Sequence, residues 1–259
     1  MSEPTATPAS LRDRLRALKV FGEDMPELVP DAAPRDPLEL LRDWLEEALA
    51  QNVAQPHAMT LATSDAAGAP SARTLLLKDL TEEGLWFASL SSSPKGRDLT
   101  ENPRAAVVLY WREQGRQIRV VGAIERGPRD VARADFLQRH PNARATAIAG
   151  HQSTPIGADH TDLQADAQAR VNADPDFVPE EWVAWILRPQ TVEFWQAARH
   201  REQTRLRYEK VDGDWRGPAL AVTRSTHAAH CLLAPRDESR RKHRHGLQHR
   251  GGDERRARE

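Results

Sequence analysis

Residues 58–90 read AMTLATSDAAGAPSARTLLLKDLTEEGLWFASL, and the punctuation of this stretch decides the fold. AMTLAT (58–63) predicts a short strand, Asp65–Gly68 a turn, and Ser71–Leu80 a second strand. Thr81–Gly84 is another turn and Leu85–Leu90 a third strand. Downstream, Pro94–Asn102 predicts a short helix after a serine run, and Ala105–Trp111 an apolar strand. A turn at Glu113–Gly115 leads into a further strand over Arg116–Glu125. Pro128–Arg139 and Asp159–Asn172 read as helices. Val183–Leu187, Thr191–Trp195, Leu206–Val211 and Asp214–Leu220 close the pattern as strands, with Asp212-Gly213 as a hairpin turn. Short strands at close, fairly even spacing suggest a sandwich or barrel. With the helices added, the class is α+β: an antiparallel barrel with helices packed outside it.

Upstream of this region, Asp36-Pro37-Leu38-Glu39 is a helix start, with Asp36 as cap and Pro37 in the first turn. Leu40, Leu41, Trp44, Leu45 and Ala48 form one apolar face, so a helix extends to about Gln51. Residues 1–35 are rich in Pro, Ala and charge. One short helix fits Leu11–Val20, and the rest reads as a flexible arm.

The 259 residues suit one large domain or two small ones. Hydrophobic residues make up 39%, enough for a core, although the mean hydropathy of -0.68 is on the polar side. No apolar run approaches the roughly 18 residues needed to cross a bilayer. The N-terminus lacks a basic-then-apolar secretory pattern. A lone cysteine, Cys231, excludes an internal disulfide, and the expected location is cytoplasmic. The net charge of -1 gives no case for nucleic acid as a partner. Residues 223–259 nevertheless carry nine Arg and one Lys against five acids, so 223–259 reads as a basic, disordered tail. His243, His245 and His249 lie there among cations that oppose a metal, and no metal site is expected.

Common signatures such as GxGxxG, a P-loop, HExxH and GxSxG are absent from the sequence. Cations placed on or beside strands are the notable feature. Arg73 and Lys78 sit at the ends of an apolar strand, an odd number of residues apart, so on a regular strand they face opposite sides. A ligand touching both would have to wrap the strand's end, or the strand must bulge; two solvated ends of a core strand is the plainer alternative. Ser91-Ser-Ser-Pro-Lys-Gly-Arg97 joins hydroxyls, a lysine and a helix start, which suits a phosphate or an ordinary serine-rich loop. Gln117 shares a face with Arg119, opposite Arg116; an inward Gln in a barrel can donate to a heterocycle carbonyl. Phe194-Trp195-Gln196 with Arg199, Arg201, Arg205 and Arg207 suits an anionic planar ligand, or a solvated basic hairpin.

Taken in order, DPLELLRDWLEEA, AMTLATSDAAGAPSARTLLLKD, LWFASLSSSPKGRDLTENPRAAVVLYW, RQIRVVGAIER, HQS and EFWQ…RLRY resemble the pyridoxamine 5'-phosphate oxidase family. The resemblance covers residues 36–222. It implies a six-stranded split β-barrel that binds FMN at a homodimer interface, with oxygen as acceptor. Arg73, Ser89 and Lys95, with Gln152 and Ser153, would hold the FMN phosphate. The strand Arg73-Thr74-Leu75-Leu76 would run along the flavin, with Lys78 where flavin and substrate meet. Gln117 would bond the pyrimidine edge, and Trp195 and Arg205 would reach the ring from the partner subunit.

Departures from the family pattern cluster at the substrate. Pro94 stands where the family has an arginine, and Ala88 where it often has a tyrosine. The substrate-phosphate grip of a lysine, a tyrosine, an arginine and a serine becomes Lys78, Asp135, Arg139 and Ala143. The Arg-x-His motif over the substrate becomes Arg201-Glu202-Gln203, so Arg201 and Gln203 are the expected catalytic pair. Similarity in FASLSSSPKGRDL, VLYWRE and DFLQRHP to the phenazine-biosynthesis branch implies an FMN-dependent oxidase of a small anionic substrate in specialised metabolism. A pyridoxine/pyridoxamine 5'-phosphate oxidase and a non-catalytic flavin-binding protein are the alternatives.

Overall fold

A computed structural model describes residues 10–22, 25–150, 160–198 and 203–220. Helix α1 (Leu11–Arg16) starts at Ser10, whose hydroxyl accepts from the Asp13 backbone N–H; the helix buries none of its residues. Helix α2 (Pro37–Ala50) starts where Asp36 accepts from the Leu38 N–H. Strands β1 (Ala58–Ser64), β2 (Pro70–Leu76), β3 (Asp79–Thr81) and β4 (Gly84–Leu90) follow, then helix α3 (Pro94–Glu101). Strands β5 (Arg104–Trp111) and β6 (Arg116–Arg126) lead to helices α4 (Arg129–Leu137), α5 (Pro141–Ala149) and α6 (His160–Ala173). Strands β7 (Trp182–Gln196), β8 (Thr204–Val211) and β9 (Asp214–Leu220) complete the described chain.

All strands join one antiparallel sheet in the order β2-β1-β5-β6-β7-β4-β3, with β8 and then β9 added on β7. The long strand β7 is where the sheet divides. Its first half, Trp182–Leu187, pairs with β4, and its second half, Thr191–Gln196, pairs with β8. Its other edge follows β6 throughout, with a register shift between Val121 and Gly122. A Cβ on Gly122 would run into the Arg188 carbonyl, so only glycine lets the two strands approach at this bend.

The α+β antiparallel architecture is as expected, but the sheet has nine strands among the described residues rather than six. Ser71–Leu80 is not one strand. At Leu77 and Lys78 the backbone changes partners: Leu77 N–H donates to His57 O at 2.8 Å and Lys78 N–H to Trp86 O at 2.8 Å. An unbroken apolar run conceals that corner. Conversely, Val183–Leu187 and Thr191–Trp195, read as two strands, are one strand, β7, which passes through Pro189 where the register to β6 shifts. Helix α5 was not expected from the sequence. His140 caps it by accepting from Asn142 N–H, and Pro141 occupies its first turn.

The core fills the inner face of the sheet. Met59, Leu61, Phe87, Val107, Leu109, Ile118, Val120, Phe194 and Leu206 are buried there, and α2 closes one end with Leu41 and Trp44. Trp44 meets Phe194 edge-on at 5.1 Å between ring centroids. A fully buried Phe such as Phe194 contributes roughly 3 kcal/mol. Within the segment read as an arm, Leu28 joins this core and the Pro34 carbonyl accepts from the Tyr208 hydroxyl at 2.9 Å. A second cluster, with Phe136, Trp182 and Ala184, seats α4 against the outer face of β4 and β7.

Candidate active site

The corner at Leu77–Lys78 brings the ends of β2 and β4 to one cleft of about 880 Å³. Helix α3 supplies its first turn to the cleft, α5 supplies Ala143 and Thr146, and β7 supplies Trp182. Of the residues expected from sequence, Arg73, Thr74, Leu75, Leu76, Lys78, Ala88, Ser89, Lys95, Arg139 and Ala143 line it together. Arg73 and Lys78 therefore do share one cavity, because the chain turns between them instead of alternating on.

One end of the cleft is built around Arg73 and Lys95. Arg73 donates to Thr63 Oγ1 at 2.7 Å and to Ser71 Oγ at 2.7 Å, and Asp98 lies 3.8 Å away. Thr63 in turn donates to Asp98 at 2.6 Å, which fixes the guanidinium from behind. Lys95 is buried in the first turn of α3, where its Nζ donates to Ser93 Oγ at 3.2 Å. Burial, with repulsion from Arg73, pushes the Lys95 ammonium down from 10.5 to about 8. Ser93 caps α3 by accepting from the Gly96 N–H. A Cβ at Gly96 would run into the carbonyls of Leu90 and Ser91, so this turn can close only on glycine. Ser89 is buried, and its hydroxyl accepts from Trp185 Nε1 at 3.1 Å.

At the other end Lys78 does not stand alone. Its Nζ lies 3.1 Å from Asp135 Oδ1, and Asp135 Oδ2 accepts from Trp182 Nε1 at 3.0 Å. The Arg139 guanidinium stacks over the Trp182 ring, 4.6 Å from its centroid. Burial lowers the Arg139 pKa from its ordinary value, and Asp135 opposes that shift.

Gln117, Trp195 and Arg205 are not in the cleft. They lie side by side on β6, β7 and β8, where Gln117 pairs with Trp195 and Trp195 with Arg205. Gln117 is not inward. Arg116 takes the inward position, buried against Glu47 at 2.7 Å and over the Trp44 ring, because the period of two puts its neighbour on the outer face. Trp195 Nε1 donates to Gln203 Oε1 at 3.0 Å, and Phe21 packs 5.9 Å from the Trp195 ring. The basic hairpin is partly neutralised: Arg205 pairs with Glu193 at 2.5 Å and Arg207 with Glu209 at 2.6 Å. Gln152, Ser153 and Arg201 lie outside the described residues, as do His151, Arg199 and the 223–259 tail.

Comparison with known proteins identifies the family of the chain. Residues 45–176 match the family model described as pyridoxamine 5'-phosphate oxidase. Residues 182–221 match the pyridoxine 5'-phosphate oxidase C-terminal dimerisation region. The chain belongs to the pyridoxamine 5'-phosphate oxidase family. It is 38% identical over 205 residues to the pyridoxine/pyridoxamine 5'-phosphate oxidase of Salinibacter ruber, covering 75% of this chain and 93% of the relative. It is 40% identical over 194 residues to that of Pseudomonas paraeruginosa, covering 73% and 90%. Among solved structures it is similar to PhzG from Burkholderia lata 383 in complex with tetrahydrophenazine-1-carboxylic acid. That match has a TM-score of 0.70 and 32% identity, over 76% of this chain and 98% of that one.

Members of the oxidase family bind FMN, and the donor set at the Arg73 end fits the phosphate of that cofactor. Two cations held close enough to repel each other, with hydroxyls beside them, suit a dianion that satisfies both. The cleft also contains residues that sequence reading did not single out as ligand contacts. Trp182 opens β7 and carried no motif. Thr146 and Ala147 sit on the unexpected helix α5, for which His140-Pro141 was the available signal. Asp98 acts behind Arg73 and is visible only once β1, β2 and α3 meet. Among the described residues no helix is long and apolar enough to cross a membrane.

Proposed function

We propose that this chain is an FMN-dependent oxidase of a small anionic substrate of the phenazine-precursor type, working as a homodimer with oxygen as acceptor. Bound FMN would accept a hydride from the substrate and pass the electrons on to oxygen. Arg73 and Lys95 would hold the cofactor phosphate, with Ser89 beside them and Gln152 and Ser153 added from the segment that follows α5. Thr74, Leu75 and Leu76 would line the flavin, with Ala88 near the phosphate. Gln117, Trp195 and Arg205 form one row on a different part of the sheet from the cleft. A partner subunit would bring that row to the ring, in keeping with the dimerisation region at 182–221. Arg201 and Gln203 would sit over the substrate, Gln203 oriented by the Trp195 indole. A glutamine there orients by hydrogen bonding and carries no proton charge.

The observation that carries the phenazine-type reading is the contrast between a retained cofactor end and an altered substrate end. Asp135 occupies Lys78, and Ala143 offers no hydroxyl. The PhzG relative, crystallised with a tetrahydrophenazine carboxylic acid, supports a flat carboxylate as the substrate. A second reading, pyridoxine/pyridoxamine 5'-phosphate oxidase, draws on the vitamin B6 oxidase relatives and on Lys78 and Arg139 being kept. Oxygen consumption by the FMN-loaded protein separates the two. A reduced phenazine carboxylate should be turned over, and pyridoxamine or pyridoxine phosphate should not. Rapid oxidation of the B6 phosphate alone would make the second reading the correct one.

A further inference from the structure

We infer that Asp135 sets the charge of the substrate subsite. It cancels Lys78 and leaves Arg139 to receive one carboxylate, so the subsite selects a planar monocarboxylate over a phosphate dianion. This rests on the cleft being the oxidase active site, as proposed above.

Both oxygens of Asp135 are engaged, one by Lys78 and the other by the Trp182 indole, and the carboxylate is mostly buried. The indole is itself fixed, because Trp182 packs edge-on against Phe136, 5.3 Å away on the same helix that carries Asp135. The carboxylate is thus built into the wall and cannot swing clear of Lys78 without breaking two bonds. Arg139 is in the opposite condition. Its Nε is buried with no hydrogen-bond partner among the described residues, although the side chain lines the cleft. The Nε itself is closed to the cleft, so a ligand would meet the remaining nitrogens of a guanidinium already stacked on Trp182.

Two cations and one carboxylate leave this end of the cleft a single net positive charge. A carboxylate matches that charge and can take the guanidinium's parallel donors. A phosphate dianion would face the Asp135 carboxylate at short range and would have to displace it from Lys78. Ala143 supplies no hydroxyl to offset the loss.

The test uses the FMN-loaded protein and two unreactive probes, pyridoxal 5'-phosphate and phenazine-1-carboxylate, titrated against the flavin absorbance. Asp135→Asn keeps an oxygen for the Trp182 indole but releases Lys78. It should tighten pyridoxal 5'-phosphate binding by about tenfold and leave phenazine-1-carboxylate within about threefold. Adding Lys78→Met to that variant should erase the gain. Less than a threefold gain, in a variant that keeps its FMN and its melting temperature, would overturn the inference. So would an equal weakening of both probes, or a gain that survives Lys78→Met. If Asp135→Asn gains phosphate affinity but neither protein oxidises a reduced phenazine carboxylate, the charge assignment stands and the proposed substrate falls.

Discussion

Each end of the cleft sets two cations against one carboxylate, but the carboxylates are placed differently. At the Arg73 end, two cations press on each other and Lys95 is driven down to about 8. At the Lys78 end, a carboxylate from α4 meets the cation at 3.1 Å. In the first, Asp98 sits behind Arg73 at 3.8 Å and is bonded to Thr63, and in the second Asp135 meets Lys78 directly. Residue type alone does not say whether a lysine in a cleft is a binding group. What faces it decides that, and what faces it comes from a distant part of the chain.

The largest expected effect is at the Arg73 end. Arg73→Ala should weaken FMN binding by about a hundredfold, or about 3 kcal/mol, in a fluorescence titration. Arg73→Lys should recover only part of this, since a compact ammonium lacks the planar fork whose spread donors reach Thr63 and Ser71. FMN affinity unchanged in Arg73→Ala would remove the distinction between the two ends.

Next in size is a pH effect. Below pH 8 Lys95 is charged, and its burial beside Arg73 costs the unliganded protein stability. That cost is relieved as pH rises from about 8 toward the ordinary value of 10.5, while a phosphate loses a partner over the same range. FMN affinity should therefore fall above pH 8, by up to about tenfold per pH unit. Lys95→Met should flatten the profile. A profile in Lys95→Met as steep as in the parent would assign the titration to another group.

The smallest effect sharpens the contrast from the Lys78 end. Arg139→Gln should leave FMN affinity within about threefold, since Arg139 lies at the Lys78 end away from Arg73, and should raise KM for a carboxylate substrate about tenfold. A parallel loss of FMN would show that the two ends are not separable.

The strands, turns and caps around the cleft were legible because local signals carried them, while the ligand roles of Arg73, Lys95 and Ser89 came from the resemblance to the oxidase family. Arg73, Lys95 and Ser89 lie in stretches whose turns, caps and strand pattern are short-range. Asp36 capping α2 and the Asp212-Gly213 turn, both residues at positive φ, are equally local. Features made by long-range pairing were less legible. The strand division at Leu77–Lys78 depends on Trp86 taking over the backbone from His57, and the unity of β7 depends on β6 following it past Pro189. Asp135 could be expected to repel a phosphate, but its partners Lys78 and Trp182 are far away in sequence, so its actual role could not be foreseen. The Arg205 and Arg207 cluster suited an anionic ligand or a solvated hairpin; Glu193 on β7 pairs with Arg205, and Glu209, two residues along β8, pairs with Arg207.

By itself, the sequence determined most of the elements and the α+β class, but not helix α5, the corner at Leu77–Lys78 or the unity of β7. Turn chemistry, capping and apolar periodicity act within a few residues and need no knowledge of the fold. Only the tertiary structure decided which charges remain available. A charge's state is set by whatever lies within a few ångströms of it, and for Lys78 that neighbour is a carboxylate more than fifty residues along the chain.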